Sequence, residues 1–169
     1  SDVKDQLEGL QVGADDYMPK PFLLSILTAK IQNMLRTRYR AIEKYSKSMD
    51  IEPDKVTFNV LDEEMLKRAV EIVKKNMDNI EFSADEFAKE MNMSRSNLHL
   101  KMKAITGEST IDFVRKIRFN EACNLLKEGR YTIAEISSMV GFNTPSYFAT
   151  SFKKYVGCLP TEYIKNMRG

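Results

Sequence analysis

Residues 82–93, FSADEFAKEMNM, and residues 131–142, YTIAEISSMVGF, align without a gap. A duplicated stretch of this length marks a repeated supersecondary unit, so the chain must fold around two copies of that unit. Phe82 pairs with Tyr131, Ser83 with Thr132, Glu86 with Glu135, and Phe87 with Ile136. Ala88 then pairs with Ser137, Met91 with Val140, Asn92 with Gly141, and Met93 with Phe142.

Each matched position has a physical task. Ser83 and Thr132 are N-caps, and Glu86 and Glu135 complete a capping box three residues on. Phe82 with Phe87, and Tyr131 with Ile136, form hydrophobic staples across the caps. Ala88 and Ser137 are small, as a close helix crossing requires. Asn92 and Gly141 tolerate the left-handed conformation that ends a helix and turns the chain. A second helix then starts in each unit. Ser94 caps one, and Thr144 caps the other with Pro145 at its first position.

These second helices are expected near 94–105 and 144–156. Leu98, Met102 and Ile105 form the inner stripe of the first; Phe148, Phe152 and Val156 form that of the second, with Tyr147 beside it. Their outer faces are basic. Arg95, His99, Lys101 and Lys103 stand on one, Lys153 and Lys154 on the other, and neither helix contains an acid. The acids Asp85, Glu86, Glu90 and Glu135 sit on the first helices instead. Two short helices about a tight turn, the second one basic, form the helix-turn-helix pattern of DNA readers. A plain helical bundle with solvated charge is the bland alternative. Two units with matching caps, turns and charge favour the DNA reading.

Charge follows the same division. Residues 1–81 carry 13 basic and 15 acidic residues, and residues 82–169 carry 13 and 9, within a net charge of +2. Between the units, Ser109 is a plausible N-cap and Gly129 a stop, with Ile111, Val114, Ile117, Ala122, Leu125 and Leu126 as the helical stripe. A helix of about 20 residues spans roughly 30 Å. Successive major grooves on one face of B-DNA lie about 34 Å apart, so such a helix can space two readers.

The stretch IAEISSMVGFNTPSYFATSFKKYVGCLPTEY resembles the signature of AraC-type transcription regulators. Gly141, Phe142, Ser146, Tyr147, Phe148, Phe152, Lys153, Lys154, Gly157, Pro160 and Tyr163 carry the resemblance, which covers residues 62–169. It implies a mainly α, seven-helix double helix-turn-helix module that binds promoter DNA and usually activates transcription, with RNA polymerase as a partner. Two positions depart from the pattern. Ser137 stands where the family often has Ala, and Leu100 where it usually has an Arg that contacts DNA. With Leu100 there, the first reader is either weaker or touches a thymine methyl instead. The candidates for base contact are Ser96, Asn97, His99, Leu100, Ser146, Tyr147 and Thr150; Lys101, Lys103, Lys153 and Lys154 suit phosphates; Arg95 and Thr144 complete the set. Each position is also compatible with an ordinary surface role, and Tyr147 with a core one.

Residues 13–22, GADDYMPKPF, resemble the last strand and loop of a two-component receiver domain. By that resemblance Lys20 is the phosphoryl-contacting lysine, Pro21 follows a bond that is usually cis, and Tyr17 is the switch aromatic. Residues 1–9 would be receiver helix 4, a strand would lie near 14–18, and Leu24, Leu27, Ile31 and Leu35 would outline helix 5. The phospho-accepting aspartate of the family lies upstream of Ser1, so Lys20 and Tyr17 are expected to be inactive here. The expected organisation is a receiver remnant over 1–44, an α(β)α piece; a linker over 45–61, broken at Pro53; and the DNA module over 62–169, opened by Asp62 as a cap with Leu66, Ala69, Val70, Val73 and Met77 inward. The combination resembles the tail of a hybrid two-component sensor, a cytoplasmic part of a protein that is membrane-anchored when whole. Residues 1–40 are expected either to form a homodimer or to fold onto the helical module, because an unpartnered strand and apolar face recruit partners.

The remaining function classes have little support. Cys123 and Cys158 lack metal-ligand spacing and read as reduced thiols, so neither a metal nor another cofactor is expected. No nucleophile–base set, carboxylate pair or Gly-rich phosphate loop suggests an enzyme, and no small-molecule ligand is evident. The alternative from another class is a protein-interaction or dimerisation module with only non-specific DNA affinity.

Overall fold

The computed structural model describes residue 18 and residues 20–47 and 60–168. Among these residues there are eight helices and no strand: α1 (Leu24–Lys47), α2 (Val60–Lys75), α3 (Ala84–Glu90), α4 (Arg95–Thr106), α5 (Thr110–Glu128), α6 (Ile133–Met139), α7 (Pro145–Val156) and α8 (Pro160–Arg168). The helices from α2 onward are the seven expected of a double helix-turn-helix module. The described residues divide into two compact units, one up to residue 67 together with 105–107, the other comprising 68–104 and 108–168.

In the first unit the Lys20–Pro21 bond is cis. Helix α1 leaves Leu24, Ile31 and Leu35 exposed and Leu27 half-buried. The expected helix over 1–9, the residues 14–17 of the expected strand, Tyr17 itself and residues 48–59 of the expected linker lie outside the described residues. Residues 45–47 and 60–61, read as linker, are helical. Asp62 is not a cap: α2 begins at Val60, which places Asp62 in the first turn. There its charge still complements the helix dipole, and it lies 4.0 Å from Arg38.

The second unit is organised by α5, which packs against α6, α7 and α8, while α7 also touches α6 and α8. Ser109 caps its start by accepting from the Asp112 amide, and Gly129 ends it at φ 67°. Its predicted stripe needs correction. Ile111 is exposed and Val114 only half-buried, whereas Phe113, Lys116, Arg118 and Phe119 are buried. A helix enclosed on several sides loses the single apolar face that periodicity detects. Phe119 is the hub, with ring centroids 5.3 Å from Phe142, 5.9 Å from Phe152 and 5.1 Å from Tyr155.

Both repeated units form as expected at their caps. Ser83 and Thr132 each accept from the amide three residues on, and Glu86 and Glu135 return bonds to the cap amides at 2.9 and 2.7 Å. Those Thr132 bonds, backbone first, hold the Glu135 carboxyl below its usual range. The first staple closes, with Phe82 and Phe87 centroids 5.7 Å apart. Asn92 and Gly141 both take positive φ, 57° and 73°. Ala88 and Ser137 are both buried.

Candidate nucleic-acid interface

Helix α4 opens at Arg95, with Ser94 accepting from the Asn97 amide at 3.2 Å. Leu98 and Met102 are fully buried, and Ile105 nearly so. That burial turns the other positions outward: Arg95, Ser96, Asn97, His99, Leu100, Lys101 and Lys103 are all exposed. Leu100 is 67% exposed, an apolar side chain held in solvent on an otherwise polar face. Arg95 lies 3.1 Å from Asp85 of α3, so part of its charge is already matched within the unit.

Helix α7 has Thr144 as N-cap, accepting from the Tyr147 amide at 3.2 Å, and Pro145 at its first position. Phe148 and Phe152 are fully buried and Val156 half-buried. Thr144, Ser146, Tyr147, Thr150, Lys153 and Lys154 are exposed. The Thr150 hydroxyl donates to the Ser146 carbonyl at 2.9 Å, which orients it along the helix. Tyr147 is 53% exposed, and its ring lies 5.9 Å from Phe142. It is therefore neither a core residue nor a free surface one: the ring rests on the turn and half of it meets solvent. Lys20, the receiver-like candidate, is exposed in the first unit.

The comparisons with known proteins agree with this geometry. Residues 87–166 match the family described as "Helix-turn-helix domain". The chain is 37% identical over 158 residues to a protein named Histidine kinase P4 from Formosa agariphila; the match takes in 94% of this chain and 12% of that protein. It is 32% identical over 74 residues to a putative AraC-like transcription regulator of Streptomyces lividans, covering 44% of this chain and 24% of the relative. The chain thus spans a small part of the length of these relatives. Among solved structures, the C-terminal domain of AraT, a response regulator from Geobacillus stearothermophilus, superposes with a TM-score of 0.57 at 31% identity, covering 60% of this chain and 84% of that domain. The chain belongs to the AraC-type helix-turn-helix family. The AraC-type family and fold are those of DNA-binding transcription regulators rather than enzymes. No helix among the described residues is long and apolar enough to cross a membrane.

What holds an AraC-type reader in place here was not evident from the sequence. Arg118 of α5 is buried and donates through Nη1 to the Gly141 carbonyl at 3.0 Å. Its Nη2 reaches the Asn79 carbonyl at 2.7 Å and that of Asn76 at 3.4 Å. One guanidinium therefore ties the turn between α6 and α7 to the segment after α2. Arginine's fork of donors suits such a clamp, whereas lysine offers one point charge. Arg118 stands four residues before Ala122 and seven before Leu125, on the same stripe; a charged residue in an apolar stripe was the signal available. A second buried cation, Lys116, lies 3.1 Å from Glu108. Burial lowers the Lys116 pKa and raises that of Glu108, and in each case the partner's charge opposes the shift.

Proposed function

We propose that this chain is a sequence-specific transcription regulator that reads adjacent major grooves of promoter DNA with α4 and α7. The observation that carries the reading is that both second helices present exposed polar and basic residues and contain no acid. Ser96, Asn97, His99, Leu100, Ser146, Tyr147 and Thr150 are the proposed base-contacting residues. Lys101, Lys103, Lys153 and Lys154 are proposed to hold phosphates, with Arg95 and Thr144 at the edges of the two helices. Helix α5, with 19 residues, is about 28 Å long at 1.5 Å per residue, close to the groove repeat.

The double variant Lys153→Ala with Lys154→Ala tests the phosphate assignment. Each phosphate contact adds about 0.9 to the slope of log affinity against log salt, so removing two should flatten that slope by about 2. Fluorescence anisotropy on a labelled duplex between about 50 and 200 mM salt reads it. An unchanged slope overturns the assignment.

The finer role we propose is activation, with RNA polymerase as partner, as the cytoplasmic output end of a two-component phosphorelay. Residues 1–44 would be the end of a receiver domain, 45–61 a linker and 62–169 the DNA module. The likeness over 158 residues to a protein named a histidine kinase, and to part of a response regulator, supports this. The exposed Leu24, Ile31 and Leu35 of α1 support a homodimer through residues 1–40. Light scattering should then report a dimer; a monomer whose residues 1–40 are protease-labile contradicts it.

A further inference from the structure

Helices α4 and α7 are both 12 residues long, and each residue of α4 has its counterpart 50 positions on in α7. Burial follows the same register: Leu98 with Phe148, and Met102 with Phe152, are fully buried. Gly107 and Gly157, which follow the two helices, match as well, at φ 76° and 95°. On the outward side Ser96 has the identical counterpart Ser146, and Leu100 has Thr150; all four are exposed. Residues four apart share a helix face, so each reader presents a serine and, one turn on, Leu100 or Thr150.

An exposed leucine alone says little about function. Its counterpart in the second reader says more. The Thr150 hydroxyl donates its hydrogen to the Ser146 carbonyl at 2.9 Å. With that donor held inside the helix, Thr150 has a methyl group and no free donor for a base. Leu100 has only carbon. Both readers therefore lack a donor at the same place, where an arginine would reach guanine O6 and N7. Against guanine, either side chain would shield those acceptors from water and return no hydrogen bond, which is costly. Against thymine, either one buries carbon on carbon, because the 5-methyl is the apolar group that a base pair shows in the major groove.

We propose that Leu100 and Thr150 are equivalent readers of a thymine 5-methyl group, one in each element of the bound DNA. The inference rests on the proposed docking of α4 and α7 in adjacent major grooves, and it narrows that reading. The bound site has thymine at the same position of both elements, about one helical turn apart. The departure at Leu100 is then a change of base preference and not a lost contact.

The probe is a duplex selected by the whole chain from random sequences, then synthesised with uracil replacing thymine at single positions. Uracil lacks only the 5-methyl and keeps the hydrogen-bonding edge of thymine. Burying one methyl group corresponds to about fourfold in affinity. Uracil at the thymine facing Leu100, or at the one facing Thr150, should each weaken binding by that factor in fluorescence anisotropy. Leu100→Ser should abolish the uracil effect in the first element and keep it in the second. Leu100→Arg should move the selected base in the first element from thymine to guanine. Thr150→Val keeps a methyl and should keep the second effect, whereas Thr150→Ser should lose it. Both positions are exposed, so none of these variants disturbs the core. Guanine selected at either position by the unsubstituted chain, uracil duplexes bound as tightly as thymine ones, or a first-element effect that survives Leu100→Ser overturns the inference and leaves sequence-specific reading intact. No selected motif at all overturns both.

Discussion

Gly141→Ala is expected to destabilise the second unit by about 3 kcal/mol, the upper end of what a strained backbone position costs. Two effects add. At φ 73° a Cβ meets the left-handed penalty of roughly 1–2 kcal/mol. That Cβ would also stand 2.5 Å from the Met77 carbonyl oxygen and 2.7 Å from the Arg118 guanidinium. The carbonyl is backbone and cannot step aside, and the guanidinium is already held by three carbonyls. The substitution should therefore break the Arg118 clamp as well as strain the turn. Asn92 provides the control, because it occupies the matching turn of the first unit at φ 57°. Asn92→Gly should stay within about 0.5 kcal/mol, as surface changes without a packing role do. Chemical denaturation of both variants checks the pair. A Gly141→Ala loss below about 1 kcal/mol would show that the turn relaxes away from the clamp.

The second large effect concerns Lys116 and Glu108. Lys116 is fully buried with its Nζ 3.1 Å from the Glu108 carboxylate. Removing one partner of a buried pair typically costs about 3–5 kcal/mol, because the other charge is left uncompensated. Glu108→Gln is expected at the lower end of that range, since its amide oxygen can still accept a bond. The double variant Lys116→Met with Glu108→Leu should lose much less, as apolar replacements of such pairs often do. The pH dependence has a definite sign. Burial already lowers the Lys116 pKa below 10.5, and losing Glu108 lowers it further. Between that folded value and 10.5 the unfolded chain holds more protons, so stability rises with pH. The deficit of Glu108→Gln should thus shrink as pH rises from neutrality towards 10. Denaturation midpoints across that range test it, and a constant deficit would mean that Lys116 stays charged without its partner.

The repeat explains which parts of this molecule were legible beforehand. Ser83, Glu86, Thr132 and Glu135 act within one helical turn, so their roles follow from spacing alone. The same holds for Thr144 with Pro145, and for Asn92 and Gly141, whose backbone demands are local. Phe148, Phe152, Leu98 and Met102 are buried on one face, which leaves the candidate contact residues outward by simple periodicity. Helix α5 defeats that logic because α6, α7 and α8 enclose it. Lys116 looks like a surface residue in sequence, and Arg118, although it falls on the apolar stripe, carries no hint of what it binds; their partners Glu108, Asn79 and Gly141 come from outside the helix. Asp62 was misplaced for a simpler reason: Val60 and Leu61 extend α2 by one half-turn, and caps are only as reliable as the start they mark.

The most direct test is selection of bound sequences from a pool of random duplexes by the whole chain at near-physiological salt. Two working readers on neighbouring major grooves predict one enriched motif with two elements separated by about one helical turn, roughly 10 base pairs. No enrichment, with binding that disappears as salt is raised, would contradict the account by reducing it to phosphate attraction.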